Sequence, residues 1–317
     1  MNLGFFLTFT YINKFLMELI IQTTNLTFQY SKHKSIIENL TINVPKGSIY
    51  GFLGPNGAGK STTMRLLTGI IPDDNNTIKI FGKSLNEQIP SVFSKIGALV
   101  ESPALYLHLS GYNNLLYIAK VKNINPDKIN EVLELVELTY AKNQKAKQYS
   151  LGMKQRLAIA MALIGEPELL FLDEPVNGLD PNGIVEIRKL LIKINKEKGV
   201  TIFVSSHLLS EIEKMCTHIG IIAKGKLKFE GTMNQLSTNF NTCKIEITID
   251  NASDWQKKLN ESGIKTELNE THKIAVVLNS KEEIPTFIKK LIEAGALIYE
   301  VKILEGLEEW FLNLIEN

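Results

Sequence analysis

This sequence of 317 residues contains little cysteine and carries almost no net charge. Its two cysteines, Cys216 and Cys243, have neither paired nor metal-type spacing, which fits a reducing compartment and gives no metal site. We expect both to be small apolar packing residues. The 35 Lys and Arg residues nearly balance the 34 Asp and Glu residues, for a net charge of +1. No overall field therefore draws the chain to nucleic acid or to an acidic membrane surface.

A hydrophobic run of membrane-spanning length is also missing. Residues 3–11 are apolar, but this stretch is too short to cross a bilayer and lacks the basic flank of a secretory signal. The first strand-like segment begins at Met17, so we predict that residues 1–16 lie outside the fold. They are either a translation-start artefact or a contact with a membrane surface. Any membrane role of the remaining chain must then come through a partner.

Short apolar segments alternate with helix-length segments over residues 17–238, which is the pattern of a parallel α/β sheet. The period becomes helical between residues 111 and 165, which indicates a helical subdomain over about 101–165. The segments before residue 53 read as a β-rich layer. In such a sheet, ligands bind beyond the carboxyl ends of the strands. The predicted strands are 19–21, 26–28, 40–44, 49–53, 77–81, 96–100, 169–172, 201–204 and 219–222.

After Gly231 the pattern changes to strand, helix, strand, strand, helix and strand over residues 243–303. This order is the split βαβ, or ferredoxin-like, arrangement. We therefore predict a small α+β accessory domain at residues 239–317. Its last helix would carry an apolar stripe that packs on its own domain or on a dimer mate. The stripe consists of Leu304, Leu307, Phe311 and Leu314.

A glycine-rich stretch fits the pattern G-x-x-x-x-G-K-[ST] and stands between a strand-like segment (49–53) and helix-compatible sequence (62–67). Glycines let backbone N–H groups surround phosphate oxygens, and the following helix directs its positive end at the same anion. Lys60 would neutralise the β- and γ-phosphates of a nucleotide, and the Ser61 hydroxyl would hold Mg²⁺. This context disfavours a chance glycine-rich turn and predicts a P-loop NTPase. The predicted nucleotide-binding residues are Gly54, Pro55, Asn56, Gly57, Ala58, Gly59, Lys60, Ser61 and Thr62.

Two adjacent carboxylates, Asp173 and Glu174, follow the apolar strand 169–172. In a parallel sheet this strand end lies beside the phosphate loop, so Asp173 can reach the Mg²⁺ held by Ser61. Glu174 would then face the attacking water, as a general base or as the group that orients the water. The alternative, a solvated acidic turn, is disfavoured by the phosphate loop.

Ser150 is predicted to cap an apolar helix that runs to Leu163, and the start of this helix is a second candidate anion site. With Ser205-Ser206-His207 downstream, these features follow one another in the order found in ATP-binding-cassette (ABC) nucleotide-binding subunits, which the chain resembles over about residues 17–235. The resemblance implies that Tyr30 stacks on adenine, that His207 contacts the γ-phosphate and that Asp180 lies in a loop that touches a partner subunit.

The resemblance also implies a pair of subunits that share two ATP sites, because the signature of one subunit covers the phosphate bound by the other. The usual signature is Leu-Ser-Gly-Gly-Gln, whereas residues 149–153 keep only Ser150 and Gly152, the two positions that face phosphate. Glu101 stands where most relatives carry glutamine. It could still ligate Mg²⁺, but we expect its charge to alter the coupling to the membrane subunit.

Glu101, the signature and the phosphate loop are most similar to the bacitracin-resistance and lantibiotic-immunity branch of the family. The resemblance then implies an exporter ATPase at the inner face of the cell membrane. Its partners would be integral membrane permease subunits, which it contacts through residues 101–120, and a second copy of itself. No nucleic-acid partner is implied. Two alternatives stay open. One is a soluble ABC ATPase acting on DNA or ribosomes, which the lack of a basic tail disfavours. The other is an importer subunit with a sugar- or metal-sensing tail, and the lack of a His/Cys cluster in residues 243–317 argues against metal sensing.

Overall fold

The computed structural model describes residues 18–31, 34–100, 104–238, 243–269 and 273–304. The predicted extension 1–16, Glu101 and the predicted last helix from residue 305 onward lie outside the described residues. The chain divides into two compact units, Met1–Gly231 and Thr232–Asn317, shortly before the predicted domain boundary at residues 238 and 239.

The strands and helices of the first unit, up to the boundary, are named in chain order. The strands are β1 (Leu19–Thr23), β2 (Leu26–Ser31), β3 (Lys34–Leu40), β4 (Asn43–Pro45), β5 (Ile49–Leu53), β6 (Ile78–Ile80), β7 (Lys83–Ser84), β8 (Ile96–Leu99), β9 (Leu169–Leu172), β10 (Thr201–Ser206), β11 (His218–Ala223) and β12 (Lys226–Thr232). The helices are α1 (Lys60–Leu67), α2 (Leu85–Gln88), α3 (Gly111–Val121), α4 (Lys128–Leu135), α5 (Leu151–Leu163), α6 (Pro181–Lys198) and α7 (Leu209–Met215).

A six-stranded sheet in the order β12-β11-β5-β10-β9-β8 forms the centre of the first unit. The neighbours from β11 to β8 pair in parallel, and β5, β9 and β10 are buried along their whole length. A parallel sheet covered on both faces needs such continuous apolar strands. The ring of Phe203 on β10 lies 5.3 Å from Tyr50, 5.4 Å from Phe52 and 5.7 Å from Phe171. These contacts fix β5, β9 and β10 to one another, and the three strands end at the candidate site.

The amino-terminal β layer consists of the antiparallel sheet β4-β1-β6-β7 and the pair β2-β3. The single strand predicted over residues 40–44 is wrong: β3 ends at Leu40 and β4 begins at Asn43. Between them, the Thr23 hydroxyl donates to the Leu40 carbonyl at 2.7 Å and accepts from the Ile42 N–H at 3.0 Å. A side chain thus provides hydrogen bonds that a continuous ladder would have supplied, and the strand breaks there.

Helices α3, α4 and α5 occupy the region where the sequence period becomes helical, as predicted. Ser110 caps α3, because its hydroxyl accepts from the Asn113 N–H at 3.1 Å. Cys216, after α7, is buried as expected, and this burial raises the pKa of its thiol. Within the described ranges, no helix is both long enough and apolar enough to cross a membrane.

The second unit contains α8 (Met233–Thr238) and then one antiparallel sheet in the order β14-β15-β13-β16. Trp255, Leu259, Phe287 and Leu291, on its two longer helices, pack on the core that the strands contribute. The predicted ferredoxin-like order is confirmed, and with it the predicted fold class of the whole chain. The elements are β13 (Cys243–Ile249), α9 (Ala252–Glu261), β14 (Thr266–Leu268), β15 (Ile274–Leu278), α10 (Glu283–Glu293) and β16 (Ile298–Leu304).

Candidate nucleotide-binding site

Three neighbouring strands of the central sheet end at the same edge. In the parallel register, Leu53 at the end of β5 pairs with Ser206, and Leu172 at the end of β9 pairs with Val204. The glycine-rich loop, the carboxylate pair and the motif around His207 therefore follow directly from adjacent strand ends. The register explains how segments far apart in the sequence form one site.

The glycine-rich loop has a backbone conformation that requires glycine. Gly57 and Gly59 have φ values of 79° and 112°, in the left-handed region. A Cβ on Gly54 would lie 2.4 Å from the carbonyl oxygen of Ile222. The loop leads directly into α1, which begins at Lys60. Glycine backbone that leaves N–H groups accessible and a helix N-terminus are the two elements of a phosphate-binding site.

A cavity of about 740 Å³ lies at this loop. Of the predicted residues, it is lined by Tyr30, Asn56, Gly57, Gly59, Lys60, Ser61, Thr62, Glu174 and His207. The cavity is also lined by five residues that no sequence motif predicts, Ser35, Ile36, Asn177, Lys224 and Gly225. Four of them come to the cavity only through the fold, because β3 and the turn before β12 carry no recognisable motif, whereas Asn177 lies in the turn after β9.

Lys60, Glu174 and His207 form a continuous chain of contacts. The Lys60 ammonium donates to the Gly54 carbonyl at 2.7 Å and lies 3.1 Å from a Glu174 carboxylate oxygen. The other carboxylate oxygen lies 2.7 Å from His207 Nδ1, which donates to an ionised Glu174. Lys60 is 6% exposed and Glu174 19% exposed. Charges this far removed from solvent interact more strongly than surface pairs do.

Glu174 adopts a φ of 47°, in the left-handed region, which costs a non-glycine residue about 1–2 kcal/mol. Its N–H donates to Ser205 Oγ at 2.9 Å, and Asn177 N–H donates to its carbonyl at 3.0 Å. Asp173 is buried, and its carboxylate accepts from Ser205 Oγ at 2.5 Å. The turn after β9 is thus held by specific hydrogen bonds and is not a solvated acidic turn.

Tyr30 lies at the mouth of the cavity with 60% of its surface exposed. Its ring contacts Phe28 edge-on at 4.9 Å between centroids, and its hydroxyl accepts from Arg65 at 3.3 Å. An exposed aromatic ring fixed at two points is suited to stacking on a nucleobase.

Ser150, Gly152 and Asp180 do not line this cavity. The Ser150 hydroxyl caps α5 by accepting from the Met153 N–H at 3.2 Å, as predicted for an N-cap. The Asp180 carboxylate caps α6 in the same way, by accepting from the Gly183 N–H at 3.0 Å. The structure therefore brings the loop and the strand-end residues together but leaves the signature and Asp180 elsewhere on the same unit.

The sequence model of the ABC transporter family matches residues 37–177. The chain is 38% identical over 302 residues to the bacitracin transport ATP-binding protein BcrA of Enterococcus faecalis, covering 95% of this chain and 97% of that protein. It is 42% identical over 211 residues to the lantibiotic transport ATP-binding protein SrtF of Streptococcus pyogenes, covering 67% of this chain and 90% of that one.

Among solved structures, cbiO1 of Clostridium perfringens, described as part of the ABC transporter complex cbiONQ, matches with a TM-score of 0.65 and 26% identity. The match covers 78% of this chain and 98% of that one. The strand-end geometry and the full-length likeness to BcrA lead to one conclusion: this chain belongs to the ABC transporter ATP-binding family.

Proposed function

We propose that this chain is the ATP-hydrolysing subunit of an exporter that moves an antimicrobial peptide of the bacitracin or lantibiotic kind through separate membrane subunits. The observation that carries the proposal is the likeness to BcrA, which extends over 97% of that protein and therefore includes the ferredoxin-like unit. The likeness to SrtF supports the same substrate class. The contacts among Lys60, Glu174 and His207 at the strand ends support the proposed hydrolysis of ATP.

ATP would be held by the glycine loop and Lys60 at its phosphates and by Tyr30 at adenine. Backbone N–H groups at the start of α1 and the Lys60 ammonium match the negative charge of phosphate. Ser61 and Asp173 provide the hydroxyl and carboxylate oxygens that Mg²⁺ prefers. When bound, Mg²⁺ would neutralise negative charge on the phosphate oxygens. Glu101 could add a further carboxylate, but it lies outside the described residues.

Glu174 is the residue that would take the proton of the attacking water or orient that water. Its carboxylate is fixed by His207 Nδ1 at 2.7 Å, which leaves Nε2 as the ring nitrogen that can contact phosphate. Lys60 holds the other oxygen at 3.1 Å. A phosphate group at the loop would compete for the same ammonium, so binding of ATP would be linked to release of Glu174 from Lys60.

A second copy of the chain would complete each ATP site. Ser150 and Gly152 lie at the start of α5, where N–H groups can bind an anion, and a Cβ on Gly152 would meet no atom within 4 Å. Because neither residue lines the cavity of its own subunit, they would contact phosphate bound by the partner. Asp180 would contact that partner nearby.

The permease subunits would bind the helical region at the inner face of the membrane. Tyr106, Leu107 and Tyr117 are exposed there, and the rings of Tyr106 and Tyr117 meet edge-on at 4.9 Å. Exposed aromatic residues are enriched at interfaces. They fall within residues 101–120, which the sequence predicts as the docking surface.

The test is deletion of the gene in its native host, followed by the minimal inhibitory concentrations of bacitracin and of a lantibiotic. We expect sensitivity to rise for one peptide, with rescue by the wild-type chain but not by Glu174→Gln. Co-purification with an integral membrane protein should accompany rescue. Unchanged sensitivity to both peptides would refute the substrate class, and recovery with ribosomes or DNA instead of a membrane protein would refute the transport role.

A further inference from the structure

The Ser205 hydroxyl contacts both carboxylate-bearing residues at the end of β9. It is the penultimate residue of β10, and because Val204 pairs with Leu172, the register places Ser205 beside Asp173. It is completely buried. The preceding residues of β10, Ile202, Phe203 and Val204, are apolar and equally buried, so a hydroxyl at this position is expected only where it has partners.

The two partners use the hydroxyl in opposite ways. Ser205 Oγ donates its proton to Asp173 Oδ1 at 2.5 Å and accepts a hydrogen bond from the Glu174 N–H at 2.9 Å. A serine hydroxyl has one donor and two acceptor positions, so both bonds form at once. Among the described residues, none donates a hydrogen bond to the other carboxylate oxygen, Asp173 Oδ2. Ser205 therefore fixes the rotation of the Asp173 carboxylate and leaves one oxygen for a ligand.

The bond from the Glu174 N–H has a second effect. Glu174 has the left-handed φ of 47°, and this conformation persists only where surrounding contacts hold it. The Ser205 hydroxyl supplies one such contact on the amino side of the residue. The side chain of Glu174 leaves this backbone toward Lys60 and His207, so the direction of the carboxylate depends on the backbone conformation.

We infer that Ser205 is a positioning residue that sets the metal-binding carboxylate of Asp173 and the turn of Glu174 with a single hydroxyl. This inference rests on the proposed function, in which Asp173 holds Mg²⁺ and Glu174 acts on water. Ser205 touches neither nucleotide nor metal in this role. Partners that orient a metal ligand typically contribute about 10- to 100-fold to metal affinity or activity.

The test compares Ser205→Ala with Ser48→Ala, the same substitution at another buried serine. The Ser48 hydroxyl donates to the Pro45 carbonyl at 2.6 Å and precedes β5, so it lies at the opposite end of the sheet from the site. We expect Ser205→Ala to raise the Mg²⁺ concentration for half-maximal ATP hydrolysis by about 10- to 100-fold. Ser48→Ala should lower the melting temperature but keep the wild-type Mg²⁺ dependence.

A second readout does not depend on turnover. Binding of Mn²⁺ to the ADP-saturated protein, followed by electron paramagnetic resonance, should weaken by a similar factor in Ser205→Ala and remain unchanged in Ser48→Ala. Ser205→Cys fills nearly the same volume with a weaker hydrogen-bonding group and should shift both readouts in the same direction. This variant replaces Ser205→Ala in the test if the alanine variant does not fold.

The outcomes separate this inference from the proposed function. If the wild-type chain shows no Mg²⁺-dependent ATP hydrolysis, the proposed function fails. The role of Ser205 alone is overturned by a different result. In that case the wild type hydrolyses ATP, but Ser205→Ala or Ser205→Cys has the same Mg²⁺ dependence and Mn²⁺ binding as Ser48→Ala.

Discussion

Replacing Glu174 by glutamine tests the centre of the proposed chemistry. The amide has the shape of the carboxylate, so the side chain can keep its place between Lys60 and His207, but it cannot take a proton at neutral pH. Loss of a general base typically lowers turnover by about 10²- to 10⁴-fold. We therefore expect kcat to fall by at least about 100-fold, while ATP still binds, because the glycine loop is unchanged.

The ion pair sets the expected effect on stability. At the Lys60–Glu174 distance of 3.1 Å, the gross attraction is about 5 kcal/mol at an effective dielectric constant of 20. Most of it offsets desolvation, and the amide oxygen still accepts from Lys60, so the net loss should be about 1–3 kcal/mol. Removal of a negative charge beside the phosphate site should keep or raise ATP affinity.

The assay combines phosphate release, binding of a fluorescent ATP analogue and light scattering after gel filtration with Mg²⁺ and ATP. The Glu174→Gln chain should bind, not turn over, and elute as a dimer. The matched control is Glu211→Gln, since Glu211 is also buried in an ion pair, 2.7 Å from Arg188, away from the cavity. Hydrolysis by Glu174→Gln at the rate of the control, or a monomer with bound ATP, would refute the reasoning.

Three further substitutions address nucleotide binding. Lys60→Ala removes charge-assisted bonds to phosphate, and the affinity for ATP should fall about 100-fold or more in fluorescence titrations; an affinity within threefold of wild type would contradict this. Gly54→Ala places a Cβ 2.4 Å from the Ile222 carbonyl and should lose about 1–3 kcal/mol of stability together with ATP binding. Gly47→Ala has no atom within 4 Å of the new Cβ but a left-handed φ of 75°, so it should also lose stability and yet keep ATP binding. Tyr30→Ala should weaken ATP binding by about 10-fold without changing kcat, and Tyr30→Phe should restore it; equal affinities for both variants would argue against stacking.

The position of the site could be predicted from the sequence because its parts follow strand ends. Gly54 comes directly after β5 and Asp173 directly after β9, and parallel strands bring their carboxyl ends to one edge. Continuous apolar runs were sufficient to find these strands, since both strands are buried along their whole length. The backbone conformation of the loop at Gly57 and Gly59 also has a local cause, because glycine adopts a left-handed backbone without steric cost.

The interactions that orient the site could not be predicted, because they depend on register. The Ser205 hydroxyl meets Asp173 only because β9 and β10 align Leu172 with Val204, and nothing in either segment specifies that alignment. The strand break after Leu40 has a similar cause, since it depends on the hydroxyl of Thr23 on another strand. Single polar side chains acting over long sequence separations leave no periodic signal.

In the proposed function, Lys60 would link ATP binding to the release of the Glu174 carboxylate, because both the carboxylate and a bound phosphate would need its ammonium. Its ammonium now contacts two backbone carbonyls, of Gly54 and Pro55, and the Glu174 carboxylate, which uses its three donors. In the proposed function, a triphosphate at the glycine loop would take up that same ammonium. If Lys60 turned to phosphate, the Glu174 carboxylate would keep His207 as its remaining partner of the two and would become available to water. Glu174 would then act as a base only after ATP is bound.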